Sequence, residues 1–291
     1  MPSSRILHIL FLVVLFLATS NHADAFLLWE ATRGEQTIHV LAVVPLTSSV
    51  VFSDLANEIK DAYHNAERVV FESDQAPDKR RDRLRALVEA GTYPAGETIH
   101  RQLPRRVLLE YGTFHREMGT EGNETYRIRP WLAAQQVLNI AAIKAGIKIQ
   151  DDLAGIFHDR CLADGKETHP LSTNDEILDF YSGMSLELQV QMLQKALKDA
   201  RTIKDTVFAM EQYWTAGRYD QFENFFRKSY AGHDALHAGL FASRNQGWVE
   251  RLKQFEGKNI LVLTGAAHLA GKDSLLENLK QNGFSIRQFS R

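Results

Sequence analysis

The stretch Gln36-Thr-Ile-His-Val-Leu-Ala-Val-Val44 decides the fold class. It is short, apolar and rich in β-branched residues, and Pro45 closes it, which is the pattern of a buried strand rather than of a helix. Downstream, Asp54 to Ala66 places Leu55, Ile59, Tyr63 and Ala66 on one helical face, and Arg68-Val-Val-Phe-Glu72 reads as a second buried strand. Strand, helix and strand in so short a span predict a βαβ unit, with a parallel pair and a right-handed crossover. The pattern returns only at the far end of the chain. There Asn259-Ile-Leu-Val-Leu-Thr264 is a strand, Asp273 to Gln281 a helix and Phe284 to Phe289 a strand.

The residues between read as helix. Pro130-Trp131 opens a helix that runs to Ala145-Gly146, with proline at the tolerated first position and glycine as the stop. Asp151 to Ala163 continues the pattern, and Thr173-Asn-Asp-Glu176 has capping-box spacing ahead of Ile177 and Phe180. Ser185 to about Thr215 reads as one long helical stretch and Asp220 to Arg227 as a shorter one. Residues 233–254 put Leu236, Leu240, Trp248 and Leu252 on one face. No Ser/Gly/Pro-rich linker separates these parts. The expected architecture is one α/β domain over 26–291, a small, mostly parallel sheet from the terminal βαβ units with a helical insertion at about 78–255.

Composition sets the outer bounds. The 291 residues carry 34 Lys plus Arg against 36 Asp plus Glu, and 44% are hydrophobic, which suits a globular chain and excludes a disordered one. A net charge of -2 provides no field to draw the molecule onto nucleic acid, so no nucleic-acid partner is expected. The one cysteine, Cys161, excludes an intramolecular disulfide and a cysteine-built zinc cage. It lies in an apolar-periodic stretch, where a buried, inert thiol is expected. Arg5, the apolar run from Ile6 to Ala18 and Ala23-Asp-Ala25 have the layout of a secretory signal over residues 1–25. That run is shorter than the roughly 20 apolar residues of a membrane-spanning helix. The expectation is a secreted or periplasmic protein starting at Phe26, with no membrane association after cleavage.

The chemistry-bearing motif is Thr264-Gly-Ala-Ala-His268. Gly265 is expected to let the chain turn sharply off the strand, aiming His268 at the carboxyl end of the sheet, where open α/β sheets bind ligands. A turn glycine and a surface histidine give the same spacing, so the motif alone is weak. The N-terminal turn, Leu41-Ala42-Val-Val-Pro45-Leu46, aligns with it, Ala42 with Gly265 and Pro45 with His268.

Several segments in order resemble the TraB/GumN family, the wider group that includes Tiki-like proteases. They are Phe26-Leu-Leu-Trp-Glu30 with Ile38-His-Val-Leu41, Ala66-Glu-Arg-Val-Val-Phe-Glu72, Arg129-Pro-Trp131, Ser243-Arg-Asn-Gln-Gly-Trp248 and Val262-Leu-Thr-Gly-Ala-Ala-His-Leu-Ala-Gly271. The resemblance implies a metal-dependent hydrolase, with proteolysis the chemistry of an intact site. Active Tiki-like members hold a divalent metal with two G-x-x-H turns and a strand-end glutamate. By position Glu72 and His268 carry over as catalytic and metal-binding residues, and Ala42, Pro45, Gly265, Arg244 and Asn245 as residues lining the cleft.

This chain departs from the pattern where it matters most. Pro45 stands in place of the first histidine and Ala42 in place of its glycine. Ser172 and Ser243 replace glutamates. A catalytic zinc-like site needs about three protein ligands and an open position for water, so Glu72 and His268 alone imply weak divalent-metal binding at most, with no other cofactor. The reading is a family member with a degenerate metal site and weak or no catalysis. The alternative is a non-catalytic protein that uses the same cleft for a peptide, glycan or protein partner.

The remaining candidates are weaker. His39 lies six residues before Pro45 and His64 near the end of the following helix, both badly placed to substitute for it. His233 and His237 are one helical turn apart but lack the glutamate of a zinc-protease helix. The basic run Arg80-Arg-Asp-Arg-Leu-Arg85 reads as a solvated helix face. Asn123-Glu-Thr125 is a sequon only in a glycosylating host. There is no phosphate-binding glycine loop and no nucleophile elbow.

Overall fold

The structure, a computed structural model, describes residues 26–44, 51–147, 153–255 and 259–289. The expected signal segment and Pro45 lie outside the described residues. The strands are β1 (Leu28–Arg33), β2 (Gln36–Val43), β3 (Arg68–Ser73), β4 (Glu167–Ser172), β5 (Asn259–Gly265) and β6 (Ser285–Gln288). They form a six-stranded sheet in the order β4-β3-β5-β2-β1-β6. β2, β5, β3 and β4 run parallel, and β1 is antiparallel to both β2 and β6.

The fold is thus the expected α/β class with a mostly parallel sheet, but the two terminal units are interleaved. β2 and β3 do not pair with each other. β5 lies between them, setting Val40 against Val262 on one side and Val70 against Val262 on the other. β6 likewise does not pair with β5 but adds to the outer edge of β1. The reason lies in the residues of β5: Ile260 to Thr264 are all buried, as expected of a central strand covered on both faces. Two strands escape the periodicity reading. β1 mixes Trp29 and Ala31 with Glu30 and Arg33. β4 carries Pro170, which lacks an N–H for the ladder and is tolerated because β4 is an edge strand.

The helices are α1 (Asn57–Asn65), α2 (Pro77–Ala90), α3 (Arg105–Met118), α4 (Pro130–Lys144), α5 (Leu153–Asp164) and α6 (Asn174–Ser182). They continue with α7 (Leu186–Ala200), α8 (Ile203–Thr215), α9 (Tyr219–Ser229), α10 (Asp234–His237), α11 (Ser243–Gln254) and α12 (Leu275–Gln281). The capping box ahead of α6 forms as read: Thr173 accepts from the Glu176 N–H, and Glu176 accepts from the Thr173 N–H. The stretch expected to be one helix from Ser185 to Thr215 is broken at Arg201-Thr202. α7 packs along α4, while α8 turns so that Trp214 at its end donates to the Ala42 carbonyl at 2.8 Å. A straight helix would not serve both contacts.

Two large apolar clusters and one small one, around Ala142, Ile147 and Val207, result among the described residues. Of the two large ones, one surrounds the sheet, and the other lies among the helices of the middle, around Trp131, Tyr111, Val137 and Leu193. Cys161 is fully buried in the first, and burial pushes its thiol up to about 11, in keeping with an inert cysteine. Since Leu263 is buried in the strand that joins both halves of the sheet, Leu263→Ala should destabilise the protein by about 3 kcal/mol in urea unfolding. A loss under about 1 kcal/mol would show that β5 is peripheral to the fold.

Candidate functional site at the carboxyl ends of β3 and β5

Parallel pairing brings the ends of β3 and β5 side by side. Phe71 sits opposite Leu263, so Glu72 projects beside Gly265, whose N–H donates to Glu72 Oε2 at 3.3 Å. Gly265 has φ −54° and ψ 132°, a conformation open to any residue, so the sharp glycine turn expected there is absent. What the glycine leaves is space, since a Cβ would stand 3.4 Å from Glu72 Oε2. The chain then makes one 3-10 turn over Ala266–Leu269, which carries His268 back against the end of the sheet.

The second wall of the site is α11. The chain widens into a π-turn over Ala238–Ala242 before α11 begins, a local shift of the kind that re-aims side chains near functional sites. Arg244, Trp248 and Arg251 follow at i, i+4 and i+7, one helix face. Arg244 reaches Glu72, Trp248 packs at a tilt against His268 at 4.2 Å between ring centres, and Arg251 pairs with Glu176 at 2.7 Å. Phe241 also meets the imidazole in an edge-to-face arrangement at 5.0 Å between ring centres.

The fully buried Asn245 fixes which ring nitrogen of His268 carries a hydrogen. Its Nδ2 donates to the carbonyls of His268 at 3.3 Å and Asp273 at 2.8 Å. Flipping the amide would set its oxygen against both carbonyls, so Oδ1 faces His268 Nδ1 at 2.7 Å and Nδ1 carries the hydrogen. Nε2 is left with its lone pair. Burial lowers the His268 pKa, Arg244 lowers it further, and Glu72 only partly opposes them. The imidazole is therefore neutral at neutral pH.

Arg244 lies between the two groups that the sequence singles out. Its NH2 donates to Glu72 Oε1 at 2.8 Å, and its NH1 approaches His268 Nε2 at 3.4 Å. Burial would raise the Glu72 carboxyl; the Arg244 ion pair opposes that at every pH and His268 adds to it only once protonated on acidification, and together they bring the group below the usual carboxylate range. With His268 neutral, the permanent positive charge beside Glu72 is that of Arg244.

A metal can be tested against this geometry. Glu72 Oε1 and His268 Nε2 are 3.5 Å apart, close to the roughly 3.4 Å that two ligands of one tetrahedral ion would show. No third ligand joins them, because no group of three or more His, Cys, Asp or Glu converges among the described residues. The guanidinium also contacts both donors. As arranged, the described residues do not fit a catalytic metal.

The model of the TraB/PrgY/gumN family matches residues 27–288. The chain belongs to this family. No curated protein and no solved structure matches it. Within the TraB/PrgY/gumN frame, Glu72, Gly265, His268, Arg244 and Asn245 come together at one end of the sheet. Ala42, expected to line the same cleft, is fully buried, one step deeper than the motif alignment implies: the ladder sets Val43, not Ala42, beside Gly265. Ser172 is buried and accepts a hydrogen bond from Trp248 Nε1 at 2.8 Å, so it now supports the ring under His268. Ser243 is exposed at the start of α11. His39 lies against Glu30 and Phe289, and His64 against Phe52 and Tyr63, both in other surroundings. His237 is packed among Phe226, Tyr230 and Phe241. Residue reading alone missed the roles of Arg244 and Trp248, although their spacing with Arg251 on one helix face was visible.

The site sets a pH dependence. The unfolded chain ionises Glu72 in the ordinary range near 4.3, so its stabilisation is complete above that range and is lost as pH falls toward the depressed folded value. His268 acts in the same direction: the unfolded imidazole takes up a proton near 6.5, the folded one resists, and stability drops on acidification. NMR should show the Nδ1–H tautomer and a His268 midpoint below about 6.5. A midpoint above that value would contradict this arrangement.

Proposed function

We propose that this TraB/PrgY/gumN-family protein uses the cleft at the ends of β3 and β5 to bind a peptide or protein partner outside the cytoplasm, with a degenerate metal site and weak or no hydrolysis. The observation that carries the proposal is the Arg244 guanidinium, in contact with both Glu72 and His268. A bound divalent ion would supply a polarised, acidic water for attack on an amide. Here a fixed monovalent cation stands against the same two donors and activates no water.

The chain's own residues still form an ordered polar surface. Asn245 holds His268 in one tautomer, Trp248 and Phe241 hold its ring, and Glu72 presents an ionised carboxylate that is about a third exposed (33%). Such a pre-ordered set of donors and acceptors suits the recognition of backbone amides. A base would need a free Nε2, and Arg244 NH1 lies against it. Secretion is supported by the N-terminal sequence pattern alone. No helix among the described residues is long and apolar enough to cross a membrane.

The test combines metal analysis of the purified protein, calorimetric titration with zinc and a peptide-library cleavage assay. The wild-type chain should bind zinc weakly and cleave little or nothing. Arg244→Ala, which removes the competing charge, should tighten zinc binding about tenfold or more. Stoichiometric tight zinc in the wild type, lost together with peptide cleavage in His268→Ala, would overturn the proposal.

A further inference from the structure

A cavity of about 200 Å³ opens beside Glu72 and Arg244, between the end of β3 and helices α2, α4 and α6. Its apolar wall comes from Leu87, Ile177 and Phe180. Its charged lining is unbalanced, with Arg83 and Arg244 against the carboxylate of Glu72. Arg244 is neutralised by its ion pair. Arg83 is not: its NH1 donates to the Asp74 carbonyl at 2.9 Å and to Asn174 Oδ1 at 3.0 Å, both uncharged acceptors. No carboxylate lies within ion-pair distance of it among the described residues, and Asp74 Oδ1 is engaged with the Ala76 N–H at 3.0 Å.

Arg83 is also out of keeping with its helix. α2 has no buried residue, and most of its basic side chains are exposed, as a solvated face predicts. Arg83 is half-buried and turned toward the cavity. Burial and neighbouring Arg80 lower its pKa from the usual arginine value, with Asp74 and Glu72 pulling partly the other way from beyond ion-pair distance, yet a guanidinium starts from so high a value that it stays charged. With NH1 fixed, the fork still has NH2 and Nε to offer to a planar anion.

We infer that this cavity is a subsite for a carboxylate borne on a small apolar body, with Arg83 meeting the carboxylate and Leu87, Ile177 and Phe180 the apolar part. The C-terminal residue of a peptide and a free short-chain acid share that chemistry. The volume is below the 300–1,000 Å³ usual for drug-sized ligands, so the subsite takes one residue or its equivalent. This inference rests on the proposed binding role of the cleft and names what the cleft recognises.

The experiment uses the whole chain and two matched pairs of probes followed by calorimetry: N-acetyl-Ala-Leu with its C-terminal amide, and isocaproate with isocaproamide. A charge-assisted hydrogen bond should make each recognised acid bind about tenfold or more tighter than its amide. Discrimination in the peptide pair alone assigns the site to a C-terminus, and discrimination in both pairs assigns it to the acid itself. Arg83→Gln should bring the acid down to the amide's affinity, and Arg83→Lys should restore part of the difference. Should Arg83→Gln not fold, the wild-type difference must shrink with added salt. Equal binding of acid and amide, no binding of any probe, or discrimination untouched by Arg83→Gln would overturn the inference. Mass spectrometry of the same peptide samples reads cleavage separately. Cleavage would sink the non-hydrolytic reading while leaving the isocaproate result to judge Arg83.

Discussion

The whole structure depends on β5 lying between β2 and β3. β5 supplies the hydrogen-bond ladder to both, so the N-terminal strands belong to one sheet only through a segment nearly two hundred residues downstream. The candidate site has the same dependence. Glu72 comes from β3, Gly265 and His268 follow β5, and Arg244 and Asn245 come from the helix that leads into β5. The contacts of Glu72 with Arg244 and Gly265 cannot form from one end of the chain alone.

The cleft is best understood as a balance of charges. A divalent ion held by carboxylate and imidazole would place two positive charges there, whereas this protein places one, on a side chain that needs no ligand sphere of its own. The contact of Arg244 with both Glu72 and His268 fits that balance. His268 is held in one orientation by Asn245, Trp248 and Phe241. Ser172, where the family resemblance leads one to expect a glutamate, has joined that scaffold through Trp248.

Much of the fold was legible because local pattern and final environment agree. β2, β3 and β5 are apolar and β-branched since they are buried, and Pro130, Gly146 and the Thr173 capping box mark helix ends by local chemistry. β4 was hidden by Pro170, whose missing N–H matters only if the strand is internal, and sequence does not say which strand is an edge. Interleaving was hidden for a related reason. A βαβ pattern fixes direction but not whether a distant strand will insert. Glu72 and His268 were reachable through family resemblance, and Arg244 was placed only in the cleft. Its contact with Glu72, and the inward turn of Arg83 out of a basic run, depend on neighbours 172 and 91 residues away in sequence.

The position of β5 also orders the assembly of the molecule. The helical middle is rich in contacts between near neighbours in sequence, which close quickly, whereas the sheet requires a long loop to close before any central ladder bond is gained. During synthesis β2 has β1 and later β3 has β4 to pair with, but each keeps one apolar edge open until β5 arrives. Their exposure in that interval, rather than the finished fold, is where this chain is most open to aggregation and to the attention of chaperones.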